Sequence, residues 1–416
     1  MFRKYDIRGV YPDDVNEINF YRMGLLLKQF MRDRNITEFN LAQDYREHSE
    51  SLANALALNT NAVRVGVMPT PTICSNKGFN GIITASHNPS NYNGLKLFLD
   101  GESLSTFGPH LKKYVDRFDD FVFDNSVDVK NETPIDNNLH DEIINSYLAN
   151  LPKSGNAFFD LGGGAACAVK HVFPNRIYDE PDPYFKCRDS EPTDQSLTEL
   201  KKLSVSNNTL GFAFDGDADR VVAVDKQVID SDVLGGFIVE HFEDVFDTRN
   251  VVMTIDSSFK VYRKLKEQGY NCQYSPVGEV FVTELMRQHK NSFGFESSGH
   301  YFSSLHDYNS DGPYYGLMLS NTPQGRIFDY QKGLNIQRVK FKLPGKIDAG
   351  CVKEVLENLG ATEFVSMDGV KANNDDWSVL VRNSNTQNFA RVNIESDDTK
   401  LIKELKEKIE NKLNEN

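Results

Sequence analysis

Leu210-Gly211-Phe212-Ala213-Phe214-Asp215-Gly216-Asp217-Ala218-Asp219-Arg220-Val221-Val222-Ala223-Val224 is the stretch that decides the fold. Two short apolar runs of strand character flank a loop in which carboxylates alternate with Gly and Ala. A strand that ends in a polar or glycine-rich loop is where layered α/β proteins place ligands. Similar runs recur at 62–67, 81–84, 157–160 and 251–255, and helical patterns lie at 20–32, 141–148, 257–268 and 399–413. This alternation predicts an α/β chain rather than an all-helical or all-β one. In the last helix Leu401, Leu405, Ile409 and Leu413 recur at i+4 among Lys and Glu, giving one apolar stripe that closes a C-terminal domain.

At 416 residues the chain is long enough for about two to four domains, each with its own core. The acidic stretch 119–133, the link 225–232 and the Pro/Gly stretch 343–348 suggest domains at 1–131, 132–228, 229–342 and 343–416, with 204–209 a loop inside the second. Hydrophobic residues at 39% and charged residues at 25% describe an ordinary globular composition. A net charge of −14 with no basic run argues against nucleic acid as a partner. No apolar stretch approaches a membrane span and no secretory apolar segment opens the chain, so a cytoplasmic location is expected. Cys74, Cys167, Cys187, Cys272 and Cys351 are scattered without a C-x-x-C pair, which indicates reduced thiols rather than disulfides or zinc.

Asp215, Asp217 and Asp219 can converge on one hard cation because the intervening Gly and Ala leave the backbone free to curl. An EF-hand is excluded, since its sixth position would be Arg220 and its twelfth Lys226. Three carboxylates leave the shell of about six oxygens that Mg2+ favours incomplete, and phosphate commonly completes it. A source of phosphate stands in Thr84-Ala85-Ser86-His87-Asn88-Pro89: a phosphate on Ser86 would supply the missing oxygen. The acyl alternative, with His87 as base, lacks the nucleophile elbow, as Thr84 and Asn88 stand where glycines belong. His87 then orients the loop. Asn93-Gly94 reads as a hairpin turn that returns 95–99 alongside the preceding strand and points Lys96 at the site, against the plain reading of a surface lysine.

Two further loops carry chemistry. In Gly294-Phe295-Glu296-Ser297-Ser298-Gly299-His300, Glu296 and Ser298 can point the same way and suit adjacent hydroxyls, while His300 can exchange a proton or serve as a buried structural histidine. Arg382-Asn383-Ser384-Asn385-Thr386 combines a guanidinium, two hydroxyls and turn N–H groups into an anion cradle, or else a polar turn. Gly162-Gly163-Gly164 follows a strand, but Cys167 breaks the dinucleotide fingerprint.

Together with Tyr5-Asp6-Ile7-Arg8-Gly9, these motifs stand in one order along nearly the whole chain, which resembles the α-D-phosphohexomutase superfamily, in its phosphomannomutase/phosphoglucomutase branch. The resemblance implies four domains around a central cleft, three similar mixed α/β domains and a smaller α+β C-terminal phosphate-binding domain. It implies Ser86 as phosphoserine, with Ser86, Asp215, Asp217 and Asp219 as Mg2+ ligands. Arg8 and Lys96 would lie beside the transferring phosphoryl group, with Lys96 and His300 as acid/base candidates and His87 and Arg220 in support. Glu296 and Ser298 match the sugar readers, and Arg382, Ser384, Asn385 and Thr386 the grip on the other phosphate.

The implied reaction moves a phosphoryl group between C1 and C6 of a mannose or glucose phosphate. It runs through phospho-Ser86 and a hexose 1,6-bisphosphate, which also serves as activator. The Tyr-Asp-Ile-Arg-Gly opening favours this branch over phosphoglucosamine mutase, which usually opens on a Gly-Thr-Asp-Gly type of sequence. Alternatives of a different class are a Mg-dependent sugar phosphatase and a non-catalytic phosphosugar-binding paralogue. The partner expected is a hexose phosphate, with no nucleic acid and no membrane, and nothing in the chain indicates an oligomeric state. Departures from the family pattern are His48 for Ser, Phe295 for Gly and Gln387-Asn388 at the end of the phosphate loop.

Overall fold

The structure, a computed structural model, describes residues 1–3, 6–384 and 388–414 and divides into two compact units. The first comprises Met1–Ile229 and Gly299–Arg326, the second Asp230–Ser298 and Ile327–Asn416.

In the first unit, one mixed sheet runs in the order Ile7–Val10, Tyr92–Leu99, Phe79–Ile83, Phe39–Gln43, Val63–Val67, with Glu102–Ser103 beside Tyr92–Leu99. Helix Glu17–Asp33 buries one face with it, through Phe20, Leu27 and Phe30, while Ser49–Thr60 is buried on nearly all sides, with Leu52 and Leu56 in the same core. Asn16 accepts from Asn19 N and so starts the first of these earlier than its apolar pattern suggests. A second sheet runs Gln227–Val228, Val221–Asp225, Leu210–Phe214, Ala157–Asp160, Asn175–Ile177. Phe159 stacks with Phe212 and lies against Phe173 beneath it.

The second unit holds three parallel strands in the order Asn271–Ser275, Asn250–Thr254, Ser292–Phe295, with helices Ser231–His241, Phe259–Glu267 and Glu279–Arg287. Its other sheet is antiparallel throughout: Gln337–Pro344, Phe389–Ser396, Trp377–Asn383, Val370–Asn373, Glu363–Ser366. Helices Ala349–Asn358 and Thr399–Asn414 cover it, with Leu405, Ile409 and Leu413 buried in its core. The α/β layers followed by a smaller α+β domain are the architecture expected. No helix among the described residues is long and apolar enough to cross a membrane.

Three local readings are corrected. Asn93 and Gly94 are not a turn but lie within Tyr92–Leu99, paired with Gly9 and Arg8. Glycine is needed there because a Cβ would sit 2.1 Å from Ile7 O. The turn is the serine loop itself, and 95–99 do return along Phe79–Ile83, with Lys96 opposite Ile82. Residues 204–207, read as loop, end the helix Thr198–Asn207, which stops where Asn208 enters the left-handed region. Leu343 and Pro344, read as link, end an edge strand of the antiparallel sheet, where a missing N–H is tolerated.

Candidate active site

Strand Phe79–Ile83 runs straight into the serine loop, and Ser86 adopts φ 51°, a left-handed conformation that a non-glycine residue keeps only when its surroundings enforce it. Here they do. Thr84 Oγ1 accepts from Ser86 N (2.9 Å), and the buried Arg46 donates to Ser86 O (2.7 Å), Asn88 O (2.7 Å) and Pro89 O (2.6 Å). Arg46 is held by Asp44 at 3.1 Å, and Ser49 Oγ donates to the same carboxylate. Burial pushes Asp44 up, with Arg46 opposing, and lowers Arg46, with Asp44 opposing. Arg46 was missed as a functional residue; the available signal was an Asp-x-Arg pair just beyond the strand Phe39–Gln43.

The aspartate loop meets the serine loop at close quarters. Ser86 Oγ donates to Asp215 Oδ2 at 2.7 Å, and one oxygen from each of Asp215, Asp217 and Asp219 lies within 4.8 Å of the others, all buried. A Cβ on Gly216 would stand 2.4 Å from Ser86 O, so glycine permits the approach. The Gly162-Gly163-Gly164 run serves the same packing: Gly164 passes against Gly216, whose carbonyl accepts from Ala165 N (2.9 Å). Lys96 Nζ donates to Asp217 Oδ2 (2.7 Å) and to Asp219 Oδ2. Thr70 holds Asp217 twice, through Oγ1 to Oδ2 (2.7 Å) and through N to O (2.9 Å).

Electrostatically the three carboxylates differ. Burial, then the charges of Asp219 and Asp217, pushes Asp215 up to about 7. Burial would raise Asp219 too, but Lys96, His300 and Arg220 outweigh it and hold it well below the usual carboxylate range. Asp217 Oδ1 is buried with no hydrogen-bond partner among the described residues. A buried carboxylate oxygen without a partner is costly unless a cation completes it. The donor set therefore fits a hard divalent cation such as Mg2+, with Asp215, Asp217, Asp219 and an oxygen on Ser86 as ligands.

Cations surround the serine. Arg8 donates to Asn88 Oδ1 (2.9 Å) and Asp6 Oδ2 (2.5 Å), while its Nε is buried without a partner among the described residues. Arg220 N donates to Asp215 Oδ1 (3.2 Å), and its Nε lies 3.8 Å from Asp215 Oδ2. His300 Nε2 stands 3.1 Å from Asp219 Oδ1 and 3.3 Å from Arg220 Nε. A ring nitrogen cannot donate to one and accept from the other, and the carboxylate favours the proton on Nε2. His87 Nδ1 is 3.4 Å from Ser86 Oγ, and Arg220, burial, Arg8 and His300 together keep its imidazole neutral.

The second unit carries the remaining sequence candidates. Glu296 accepts from Gly278 N (2.9 Å) and from Ser298 Oγ (3.3 Å), so the two are neighbours. Phe295 is fully buried against Gly235, whose Cβ would sit 2.4 Å from the ring, so this departure belongs to the core. Arg382 pairs with Asp368 at 2.6 Å and its Nε has no hydrogen-bond partner among the described residues. Ser384 N donates to Phe389 O (2.9 Å). Asn385, Thr386 and Gln387 lie outside the described residues.

Four sequence profiles match the chain in order: the phosphoglucomutase/phosphomannomutase alpha/beta/alpha domains I (residues 1–107), II (168–228) and III (230–326) and its C-terminal domain (339–412). The chain belongs to the phosphoglucomutase/phosphomannomutase family. This places it in the phosphohexomutase superfamily of isomerases. Among relatives, the probable phosphoglucosamine mutase of Pyrococcus horikoshii is 27% identical over 440 aligned residues, covering 97% of this chain and 96% of the relative. The phosphoglucosamine mutase of Methanococcus aeolicus is 28% identical, covering 93% of each. In fold, the chain is similar to a family protein from Burkholderia thailandensis (TM-score 0.82, 22% identity, 99% and 98% covered). It is also similar to the N-acetylphosphoglucosamine mutase of Aspergillus fumigatus solved with GlcNAc-6P and magnesium (TM-score 0.59, 12% identity, 100% and 96% covered).

Proposed function

We propose that this phosphohexomutase interconverts the 1- and 6-phosphates of a hexose, with glucosamine phosphate as its preferred substrate. The observation that carries the reaction type is the Ser86 hydroxyl 2.7 Å from Asp215, with Asp217 Oδ1 and Arg8 Nε each buried without a hydrogen-bond partner among the described residues. The first of these polar atoms suits a cation and the second an anion, which is what a metal-held phosphoserine supplies. The substrate preference rests on the relatives named above, which are phosphoglucosamine mutases. It replaces the mannose or glucose preference expected from the Tyr5 to Gly9 opening.

In the forward step the Oγ–P bond of phospho-Ser86 breaks as a bond from phosphorus to a sugar hydroxyl oxygen forms. The hydroxyl proton passes to a base and the departing Ser86 Oγ takes up a proton from an acid, with His300 and Lys96 the candidates for these two roles, and the regenerated serine hydroxyl then donates to Asp215. Asp215, Asp217 and Asp219 would hold a Mg2+ ion, which would supply Lewis-acid stabilisation of the phosphoryl charge. Arg8 orients those oxygens, and the reverse step returns the other phosphate of the bisphosphate to Ser86. Glu296 and Ser298 read sugar hydroxyls, and Arg382, Ser384, Asn385 and Thr386 hold the phosphate that is not moving.

A coupled assay with glucosamine 1-phosphate, mannose 1-phosphate and glucose 1-phosphate, in the presence of Mg2+ and the matching bisphosphate, tests the reading. The largest kcat/KM is expected for the amino sugar. A larger value for mannose or glucose phosphate overturns the substrate assignment, and turnover of none of the three overturns the mutase.

A further inference from the structure

A cavity of about 440 Å3 lies in the first unit, away from Ser86. Its walls are the short helix Thr70–Cys74 and the residues after it, the helix Asn137–Leu148, and the segment 305–314. Its volume falls within the range of about 300–1,000 Å3 typical of small-molecule sites.

The chemistry of the lining is specific. No Lys or Arg lines it, while Asp307 and Asp311 do, so an anion is disfavoured. Thr72 is 1% exposed, and its Oγ1 has no hydrogen-bond partner among the described residues. His306 Nε2 is likewise buried without one. Such groups cost free energy unless a ligand or water completes them. Tyr147 OH is committed to Asp311 at 2.8 Å, and the rings of His306 and Tyr314, 4.1 Å apart, offer an aromatic surface. Hydroxyl and imidazole groups beside aromatic rings, with carboxylates and no cation, suit a hydroxylated ring that carries no phosphate.

Two walls of this cavity grip the aspartate loop directly. Thr70, the first residue of the short helix, bonds Asp217 through its side chain and its backbone. On the opposite wall Ser310 Oγ donates to Asp219 O (2.7 Å) and Gly312 N to Ala218 O (3.2 Å). A ligand that fixes the spacing of these walls changes the spacing of the carboxylates, and coupling of this kind is reciprocal.

We propose that the cavity is an effector site for a free, non-phosphorylated sugar, and that its occupancy changes the affinity of the aspartate loop for divalent cation. The test uses calorimetry on the full chain with free glucose and free glucosamine as probes, in the presence of a saturating hexose phosphate, and then Mg2+ titrations with and without the sugar. Binding on the order of 1 mM or tighter is expected, with Mg2+ affinity shifted about fivefold or more.

Ser146→Trp, on the exposed mouth, is expected to abolish both effects while leaving sugar-free Mg2+ affinity unchanged, and Thr72→Val to weaken sugar binding at least about fivefold. Loss of sugar binding when hexose phosphate is present, binding that survives Ser146→Trp, or binding with no shift in Mg2+ affinity each overturns the proposal. None of these outcomes depends on turnover.

Discussion

Two buried charge clusters, one in each unit, are built from the same residue types and have opposite characters. In the first unit Asp215, Asp217 and Asp219 face Lys96 and Arg220, and one oxygen, Asp217 Oδ1, is left without a partner among the described residues. In the second unit Arg338 bonds Asp232 through Nη1 (3.1 Å) and Nη2 (2.8 Å) and Glu395 through Nε (3.1 Å). Asp232 also accepts from Ser258 N and Val233 N, and Glu395 from Ser258 Oγ and Lys260 N. The buried Lys371 donates nearby to Ile255 O (2.8 Å) and Ser257 O (2.7 Å). The second cluster is closed, every carboxylate oxygen of Asp232 and Glu395 being used within the protein. The two clusters thus differ in the satisfaction of their Asp217, Asp232 and Glu395 oxygens, not in composition.

The comparison breaks most visibly at Asp217. Asp217→Asn keeps the shape and removes the charge, and it is expected to lower kcat/KM on the order of 10³-fold. Its melting temperature is expected to stay near that of the wild type. A variant that unfolds instead would make the first cluster structural, like the second. At Arg338 the roles reverse. Arg338→Met leaves Asp232 and Glu395 buried without their cation and is expected to cost about 3–5 kcal/mol in denaturant unfolding. Mg2+ binding by the folded fraction, read by calorimetry, is expected to be unchanged.

Lys371 gives a pH signature that the aspartate loop does not share. Burial, with Glu395 and Asp256 opposing, depresses its amine from 10.5 to about 8, so the unfolded chain binds more protons between those values. Stability contributed by Lys371 therefore rises with pH across that window, and the penalty is complete below it. Relative to Lys371→Met, the wild type is expected to gain about 2–3 kcal/mol between pH 8 and 10. Equal pH dependence of the two proteins in urea unfolding would remove the lysine from this role. The smallest effect is expected at Thr70→Val, where one hydrogen bond to Asp217 is lost. A weakening of Mg2+ binding worth about 1 kcal/mol, seen calorimetrically, is expected there.

The loop that carries the first cluster was readable because its pattern is local. Alternating carboxylates between two apolar runs announce a loop at strand ends, and Ser86 follows a strand in the same manner. What escaped reading is long-range. Arg46 reaches from 46 to carbonyls at 86, 88 and 89, and Thr70 reaches to 217, and no spacing in the chain records either. Asn93-Gly94 misled for the same reason: the dipeptide has a local turn preference, but its glycine is there for the backbone of a strand some 85 residues earlier, Ile7–Val10. The closed cluster of Arg338, Asp232 and Glu395 draws on three separated segments and left no motif at all.

The proposed mutase uses Ser86 as a phosphoryl store that is emptied onto a sugar and refilled. Its most direct measurement is to follow protein phosphorylated at Ser86 by intact mass, mixed with excess glucosamine 6-phosphate and Mg2+, while 31P spectra record the sugars. The expected result is transfer of the phosphate to a bisphosphate, followed by glucosamine 1-phosphate with Ser86 rephosphorylated, and no phosphorylation of a Ser86→Ala variant. Stoichiometric inorganic phosphate with no isomer formed would contradict it.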